Sequence, residues 1–365
     1  MKELIMLNHM PLLGSVKTLQ LLQAFGSAGQ ALKATPEQLR ELPGFGPKII
    51  QSWNVAKAGQ LAEEDLELVN RYGVSLIPYT DPRYPKRLKA LPDFPLLLYV
   101  MGELKPEDDQ SIAIIGTRAA THYGNEMAQK FGSELARNGF TIVSGLARGV
   151  DSAAHRGALD SGRTLAILGS GLNHLYPPEN RDLAREIIQN GAVISEFPMN
   201  TRPDRQRFPQ RNRIVSGLSS GILLIEAPLK SGAMLTMKLG LKQEKKLYAL
   251  PGRADIPNFQ GNHELIKNQQ ARLVTCPQDI ATDFGEWLPT TQKILHSRPK
   301  LEPDEEELLK SFPPDEVAID QLVVLTGLPI QKLNVLIMRL VIKKLIKEYP
   351  GRLYKRCPLI MNQLR

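Results

Sequence analysis

The chain has 365 residues, of which 42% are hydrophobic and 23% are charged, and its net charge is +8. That composition is typical of a folded protein of two or three domains, and the basic excess fits a polyanionic partner without selecting a fold. Two cysteines, and six histidines without metal-ligand spacing, argue against a disulfide framework and a four-ligand zinc site. No apolar run approaches the roughly 18 residues of a membrane span, and the first residues lack a signal-peptide pattern. We therefore expect a cytoplasmic protein without membrane contact, metal or cofactor.

Residues 1–80 carry apolar side chains at helical spacing and predict a helical domain of the helix-hairpin-helix or SAM-like type. The hairpin candidate is the segment LPGFGPKI at residues 42–49. Its glycines permit a tight turn, and a helix beginning near Pro47 would offer its N–H groups to a phosphate. Because Lys48 is the only basic residue of this segment, contact with a DNA backbone and a structural or protein-docking role both remain open.

Residues 81–290 begin with a connector rich in proline and aromatic residues and continue, from Ser111, as an alternation of short apolar segments and amphipathic segments. The apolar segments are hydrophobic on both faces, as strands buried between helix layers are. Strand–helix alternation at this spacing predicts an α/β fold with an extended Rossmann-like, doubly wound parallel sheet. The strand candidates are SIAIIG, FTIVSG, TLAILG, AVISEF, GILLIEA and KLYALPG.

Three loops that follow these strands are rich in glycine, and two of them contain an arginine. They are residues 116–118, 144–149 and 169–171. Ligands of open α/β sheets bind at the carboxyl ends of the strands, where glycines let the backbone approach a ligand and helix N-termini attract anions. Neither GxGxxG nor GxxxxGK[ST] occurs, so dinucleotide binding and ATP hydrolysis by those routes are not indicated. In any single loop the glycines can simply make a tight turn, but three successive loops favour an anion site.

The segment TRPDRQRFPQRNR at residues 201–213 contains five arginines, one acidic residue and a phenylalanine. Guanidinium groups bind phosphate in a bidentate manner and keep their charge. An aromatic ring among them, here Phe208, can stack a nucleic-acid base, which contributes about 1–3 kcal/mol per base in single-strand binders. The alternative is a solvated arginine surface around a core phenylalanine. We favour the anion site, because so dense a cluster just before a buried strand is unusual for a plain surface.

Two motifs resemble catalytic sites without their context. The sequence GLSSG at residues 217–221 fits GxSxG, but its serine precedes a strand, whereas a nucleophile elbow follows one. Asp151 and His155 are four residues apart and could share a helix face as a general-base pair, although a helix N-terminal acid beside a buried histidine is commoner. The residues Lys230-Ser231 precede a predicted helix and are consistent with a further phosphate contact or with a cap of that helix. We expect no catalytic reaction.

Residues 291–304 are polar and proline-containing and predict a linker, and residues 305–365 predict a winged-helix domain. An apolar helix ends at Gly327, a second begins near Pro329, and two short segments flank a turn at residues 350–351. The basic residues of the second helix suit DNA contact, but that helix is very apolar, which suits packing or protein contact as well. These basic residues are Lys332, Arg339, Lys343 and Lys344.

Along nearly its whole length the chain resembles the DNA-processing protein A (DprA/Smf) family, with matching motifs in matching order. The matching stretches are GTR at residues 116–118, SGLARGVDSAAHRGAL at 144–159, LAILGSGLNHLYPPEN at 165–180, ISEFP at 194–198, FPQRNRIVSGLSSGILLIEA at 208–227, SGAMLT at 231–236 and ALPGR at 249–253. The resemblance implies a Rossmann-like core with an N-terminal helix-hairpin-helix-like domain and a C-terminal winged helix. It also implies sequence-tolerant binding of single-stranded DNA, homodimers through the core, loading of the RecA recombinase in natural transformation, and no catalysis.

The same resemblance implies which residues form the DNA-binding pocket. Carried over by motif, they are Arg118, Gly145, Gly149, Gly169, Gly171, Phe208, Arg211 and Asn212. Charge and position add Arg205, Arg207 and Lys230. The chain departs from the family at YPPEN, where some members carry a lysine but this sequence has Pro178 and Glu179; Arg181 is a candidate substitute for that phosphate contact.

Two other functions stay open at this stage. A Rossmann-like nucleotide or nucleoside phosphoribohydrolase would carry a PGGxGT-like loop and a catalytic glutamate; the chain has Pro251-Gly252-Arg253 without that glycine run, and its candidate glutamate is Glu226. A scaffold that acts through its terminal domains would have a core that binds no DNA.

Overall fold

The computed structural model describes residues 1–285, 301–313, 315–343, 345–349 and 351–356. The chain forms two compact units, Met1–Thr291 and Gln292–Arg365. Most of the predicted linker lies outside the described residues, as do Lys344, Pro350 and residues 357–365.

Six helices form the N-terminal part of the first unit: α1 Lys2–His9, α2 Ser15–Phe25, α3 Ala28–Ala31, α4 Pro36–Arg40, α5 Pro47–Ser52 and α6 Val55–Tyr72. The predicted hairpin is the α4–α5 turn, where Gly44 has a φ of +80° and Phe45 is buried among the helices. A buried carboxylate ties these helices to the sheet, because Asp65 accepts hydrogen bonds from the Tyr99 hydroxyl at 2.6 Å and the Met199 amide at 2.7 Å.

A nine-stranded sheet forms the centre of the unit, in the order β1-β2-β6-β5-β4-β3-β7-β8-β9. The strands are β1 Ser75–Pro78, β2 Leu97–Gly102, β3 Ser111–Ile115, β4 Thr141–Ser144, β5 Thr164–Ile167, β6 Gly191–Ser195, β7 Gly221–Leu224, β8 Lys246–Ala249 and β9 Arg272–Leu273. The seven strands that run from β6 to β9 in this order are mutually parallel, and each of the six strand candidates overlaps one of them. The doubly wound α/β fold is confirmed.

The structure differs from the sequence prediction at the edge of this sheet. Residues 75–78 were expected in the helical domain and 97–102 in the connector, but they form an antiparallel pair that extends the sheet beside β6. Neighbouring prolines concealed both strands. Their pairing is possible because this pair lies at the sheet edge, where proline is tolerated.

Helices cover both faces of the sheet: α7 Lys86–Lys89, α8 His122–Arg137, α9 Val150–Leu159, α10 Arg181–Gln189, α11 Arg207–Leu218, α12 Gly232–Lys242, α13 Gln260–Lys267 and α14 Pro277–Ala281. Alternate residues of β3 face opposite layers, as the two-residue period of a strand requires. Ala113 and Ile115 pack in the layer of α11 and α12, and Ile112 and Ile114 pack in that of α8 and α9. From β3 the chain proceeds to β4, β5 and β6 and then returns to β7 on the other side, which makes β3 the switch point of the topology.

The second unit contains α15 Pro303–Ser311, β10 Val317–Ala318, α16 Ile319–Thr326, α17 Ile330–Ile342, β11 Ile346–Tyr349 and β12 Leu353–Arg356. Its antiparallel sheet has the order β10-β12-β11, and Gly327 ends α16 in the left-handed conformation. The predicted succession of two helices and a hairpin is therefore present. Among the described residues no single helix has the length and apolarity of a membrane span; α16 and α17 meet that criterion only jointly, as a pair bent by 110°.

Candidate functional site

Loops from three strands and the start of α11 meet at the carboxyl edge of the sheet and enclose a concavity. Arg118 follows β3, Gly145 follows β4, Tyr176 follows β5, and Phe208 and Arg211 lie on the first turns of α11. We call this concavity the arginine pocket. It is lined by Arg118, Gly145, Ala147, Arg148, Tyr176, Pro177, Phe208 and Arg211.

An aromatic ring and a cation face each other at the mouth of the arginine pocket. The guanidinium carbon of Arg118 lies 5.0 Å from the centre of the Phe208 ring. Tyr176 approaches the same ring, with 5.8 Å between ring centres and 46° between ring planes. Since Arg118 is exposed and Phe208 is half-buried, a ligand can reach both. A charge beside two aromatic rings suits a partner that combines an anion with a flat ring.

Arg211 forms the charged floor of the arginine pocket. It is 5% exposed, and its Nη1 donates a hydrogen bond to the carbonyl oxygen of Ile167. Burial lowers the pKa of Arg211 to about 10, with the positive charge of Arg118 acting in the same direction and Asp151 opposing it. The group is therefore still protonated at neutral pH. Its Nε is buried without a hydrogen-bond partner among the described residues, so the floor has an unused donor.

Glycine is required at position 145 by the closeness of this arginine. A Cβ atom there would lie 2.0 Å from Nη1 of Arg211. The loop amides that we expected to face a ligand are partly occupied, because Asp151 Oδ2 accepts from the amides of Gly145 at 3.1 Å and Ala147 at 3.3 Å. In this loop, then, the glycine admits a guanidinium group, and two of the amides bind a carboxylate of the protein.

Asp151 and His155 form hydrogen bonds with different parts of the protein and not with each other, as far as the described residues show. Burial raises the pKa of Asp151, while Arg211 opposes that shift. His155 is fully buried, and its Nδ1 lies 2.7 Å from Oγ1 of Thr164. Burial lowers the pKa of His155 to about 3. A histidine that is neutral and closed to solvent, and engaged with a threonine, has no access to a substrate, so the general-base hypothesis gains no support.

Three of the predicted glycines lie behind the lining. Gly149 has a φ of +70°, and a Cβ there would meet the carbonyl oxygen of Thr117 at 2.5 Å. Gly169 packs against the ring of Phe208, and Gly171 packs against the backbone of residues 198–199. Gly149 and Gly169 thus support the two residues at the pocket mouth, while Gly171 shapes the next loop.

The five arginines of residues 201–213 do not converge. Arg211 enters the pocket, but Arg213, two positions further along the helix, points elsewhere and is ion-paired with Asp93 at 3.2 Å and with Glu196. Arg207 lies 5.8 Å from the ring of Phe197, and its Nη1 donates to the carbonyl oxygen of Arg202 at 2.7 Å. Arg211 and Arg213 differ in direction because positions two apart on a helix face different sides, so Arg211 is the one arginine of this segment in the pocket lining.

The remaining predicted residues also lie outside the pocket lining. Arg205 and Lys230 are exposed, and Asn212 Nδ2 donates to the carbonyl oxygen of Gly232 at 3.4 Å, which joins α11 to the start of α12. Their roles stay predictions.

The sequence prediction missed two side chains of the lining, Arg148 and Tyr176. Arg148 Nε donates to the carboxylate of Glu179, and both side chains are about half exposed. Glu179 therefore neutralises an arginine at the rim of the pocket. Both missed residues lie in loop stretches that carry the resemblance, at the carboxyl edge of the sheet where the other lining residues were expected.

Glu226 lies just after β7 and is fully buried, and its carboxylate is hydrogen-bonded to other residues of the protein. It accepts hydrogen bonds from the Thr121 amide at 3.2 Å and hydroxyl at 2.8 Å, and from Asn258 Nδ2 at 2.7 Å. Thr121 caps α8, so the carboxylate fixes the start of that helix. This placement gives the phosphoribohydrolase alternative no accessible catalytic glutamate at residue 226.

Comparisons with known proteins agree with this architecture. The family model for DNA recombination-mediator protein A matches residues 75–285, and a DprA winged helix domain model matches residues 296–352. Protein Smf of Synechocystis is 33% identical over 379 residues, covering 94% of this chain and 95% of that protein. The structure of DNA processing protein A from Streptococcus pneumoniae superposes with a TM-score of 0.65 at 29% identity, covering 78% of this chain and 98% of that one. DNA processing protein A from Helicobacter pylori, whose structure addresses its single-stranded DNA binding mode, gives a TM-score of 0.54 at 34% identity, covering 58% of this chain and 96% of that one. The chain belongs to the DNA recombination-mediator protein A (DprA/Smf) family.

Proposed function

We propose that the arginine pocket binds single-stranded DNA and that the protein performs no chemistry on it. The observation that carries this proposal is the placement of the exposed Arg118 guanidinium 5.0 Å from the Phe208 ring, above the buried charge of Arg211. The Helicobacter pylori relative, whose structure addresses its single-stranded DNA binding mode, supports the same assignment.

The chemistry of the pocket explains why the ligand is a single strand. Arg118 and Arg211 attract phosphate regardless of sequence, and the Phe208 and Tyr176 rings stack with any base that is unpaired. In a duplex the bases are already stacked on each other, so the aromatic contribution is lost and only phosphate attraction remains. Binding is therefore tolerant of sequence, selective for single strands and sensitive to salt.

Competition between strand types tests this proposal. A labelled dT oligonucleotide is bound by the full-length protein and displaced by unlabelled dT or by a duplex of equal length, with fluorescence anisotropy as the readout. We expect dT to compete at least about tenfold better than the duplex, which is the value of one stacking contact of about 1.4 kcal/mol. Equal competition by the two would contradict a pocket that recognises unstacked bases.

We further propose that the protein forms a homodimer through its Rossmann-like core. Leucines on and just before α12 support this, since Leu229, Leu235 and Leu241 are 48%, 46% and 38% exposed. Leu235→Arg is expected to shift the protein toward the monomer in sedimentation velocity, because it places a charge in an apolar contact. Val16→Arg introduces the same charge on an exposed residue of α2 and leaves the dimer intact; equal sedimentation of both variants and the wild type argues against this surface.

The family resemblance extends the proposal to loading of RecA onto the bound strand in natural transformation, in the cytoplasm. The test is the DNA-dependent ATPase of RecA on strands coated with single-strand-binding protein. We expect the wild-type chain to shorten the lag before hydrolysis and Arg118→Ala to shorten it less. An unchanged lag with the wild-type chain would limit the function to strand binding.

A further inference from the structure

One face of α17 in the C-terminal unit is apolar and exposed. Val335, Met338 and Ile342 have 52%, 67% and 74% of their surface exposed. With the exposed Gln331 they recur at intervals of four, three and four residues along the helix. That spacing is the heptad pattern by which one helix packs against another. We call the row Gln331, Val335, Met338 and Ile342 the α17 seam.

The fold of the unit does not account for this row. The opposite face of α17 already supplies the core, through Leu333, Leu336, Ile337 and Leu340, which are at most 4% exposed. The helix is therefore apolar on two faces, and the core formed by the described residues of this unit includes only one of them. A single exposed apolar residue is ordinary, but consecutive ones along a helix face mark a contact surface.

Recognition of specific DNA bases does not explain the α17 seam either. α17 is the second helix of the helix–turn–helix, which in DNA-binding domains of this kind enters the major groove. Base edges are recognised there by hydrogen-bonding side chains, and apolar side chains contact only the thymine methyl group. Three successive apolar positions on the outward face thus disfavour base reading and favour a protein partner.

Charges beside the seam indicate what kind of helix fits. Lys332 and Arg339 are seven residues apart and flank the seam on one side, and both are exposed. Lys332 is paired with Asp304 of α15 at 2.7 Å, but both side chains of that pair are half exposed. Flanking positions of this type choose partners by charge. If two α17 helices paired in antiparallel orientation, the basic residues of one copy would face those of the other. If they paired in parallel, the basic residues would face Asn334 and Val341, neither of which is acidic. A second copy of α17 is therefore a poor partner for this helix.

We propose that the α17 seam docks an amphipathic helix of another protein, with apolar residues at the same four–three spacing and with glutamate or aspartate beside them. Apolar burial supplies the affinity, and carboxylates opposite Lys332 and Arg339 supply the selectivity. The assignment rests on the second unit alone and does not depend on DNA binding by the arginine pocket.

The test uses the full-length protein and two synthetic helical peptides. Both are 21 residues long with leucine at every seam position; one has glutamate at all flanking positions and the other has lysine. Like charges at these positions keep each peptide from pairing with itself. Fluorescence anisotropy with labelled peptides measures binding. We expect the glutamate peptide to bind at least about tenfold more tightly than the lysine peptide, because glutamates attract Lys332 and Arg339 whereas lysines repel them.

Variants locate the site. The double variant Met338→Ser/Ile342→Ser is expected to bind the glutamate peptide at least about tenfold more weakly, since two apolar contacts are lost without any change in charge. The matched control combines Leu12→Ser and Val16→Ser, which are exposed apolar residues of the other unit, and should leave binding unchanged. The proposal is overturned if neither peptide binds, if both bind equally, or if the seam variant and the control weaken binding alike. It is also overturned if the seam variant loses self-association or duplex DNA affinity instead, which would assign the surface to a second copy or to DNA.

Discussion

Substitution of Arg118 by alanine is the sharpest perturbation of the arginine pocket. Arg118 is exposed, and among the described residues it contacts the face of Phe208 and forms no ion pair. Its loss should change the free energy of unfolding by no more than about 0.5 kcal/mol, as for other surface sites. A charge-assisted hydrogen bond to phosphate contributes about 1.5–3 kcal/mol, so the Kd for a dT oligonucleotide should rise roughly 10- to 150-fold.

The salt dependence separates a direct phosphate contact from a general loss of charge. Each phosphate neutralised on a single strand contributes about −0.7 to the slope of log K against log salt concentration, so Arg118→Ala should make that slope shallower by about 0.7. Anisotropy titrations at three or more salt concentrations give both quantities. Arg118→Lys keeps the charge but loses the planar guanidinium, and should fall between wild type and alanine.

Arg185→Ala is the matched control, because Arg185 is an exposed arginine of α10 paired with Asp182 at 2.8 Å and lies outside the pocket lining. It removes the same formal charge and should change the Kd by less than about threefold, as expected of a screened surface charge. If Arg118→Ala and Arg185→Ala weaken binding equally, the attraction is a property of the whole surface and the reasoning from the pocket fails.

Three further predictions follow from the same geometry. Phe208→Leu keeps an apolar side chain but removes the stacking face, so dT affinity should fall by about 1–3 kcal/mol with an unchanged salt slope; a changed slope would mean that the variant had displaced the arginines instead. Glu179→Gln releases Arg148 from its ion pair, so oligonucleotide affinity should rise and the salt slope should steepen by up to about 0.7; unchanged titration curves would show that this arginine does not meet phosphate. Because the pKa of His155 is lowered to about 3 by burial, the unfolded chain takes up its proton below pH 6.5 while the folded chain does not. The stability associated with this neutral histidine is therefore present above pH 6.5 and is lost as the pH falls toward 3, by about 2 kcal/mol between pH 6.5 and 5. Urea unfolding at both pH values should show this loss in the wild type and a loss smaller by about that amount in His155→Leu; equal losses would mean that other groups carry the pH dependence.

The sequence was sufficient for the central sheet but not for its edge. Apart from Lys246 at the start of β8, the residues of strands β3 to β8 are buried, and their runs of apolar residues between helical segments have few other interpretations. Residues 75–78 and 97–102 contain or adjoin prolines, and nothing local indicates that they pair with each other. Their pairing depends on a distant strand, β6, whose free edge they cover.

In the arginine pocket, too, the sequence predicted some of the contacts and not others. Loop position predicted an anion site at the carboxyl edge, and the family resemblance implied that Arg118, Gly145, Phe208 and Arg211 belong to it; the structure places these four residues in one pocket lining. Loop position could not predict that Arg213 would instead form an ion pair with Glu196, because that depends on the rotation of α11 about its own axis. Nor could loop position predict that the Asp151 carboxylate would accept hydrogen bonds from the amides of this loop. The sequence does not show which carboxylates become buried beside which amides.

The sequence by itself determined the family, the succession of strands and helices, and the edge of the sheet at which charge and glycine accumulate. These follow from periodicity and residue type, which act over a few neighbouring positions. Only the tertiary structure decided which arginine is the pocket floor, which are ion-paired within the protein, and which apolar face of α17 is left exposed. Those outcomes depend on the rotation of each helix about its axis, and that rotation is fixed by packing against residues far away in the chain.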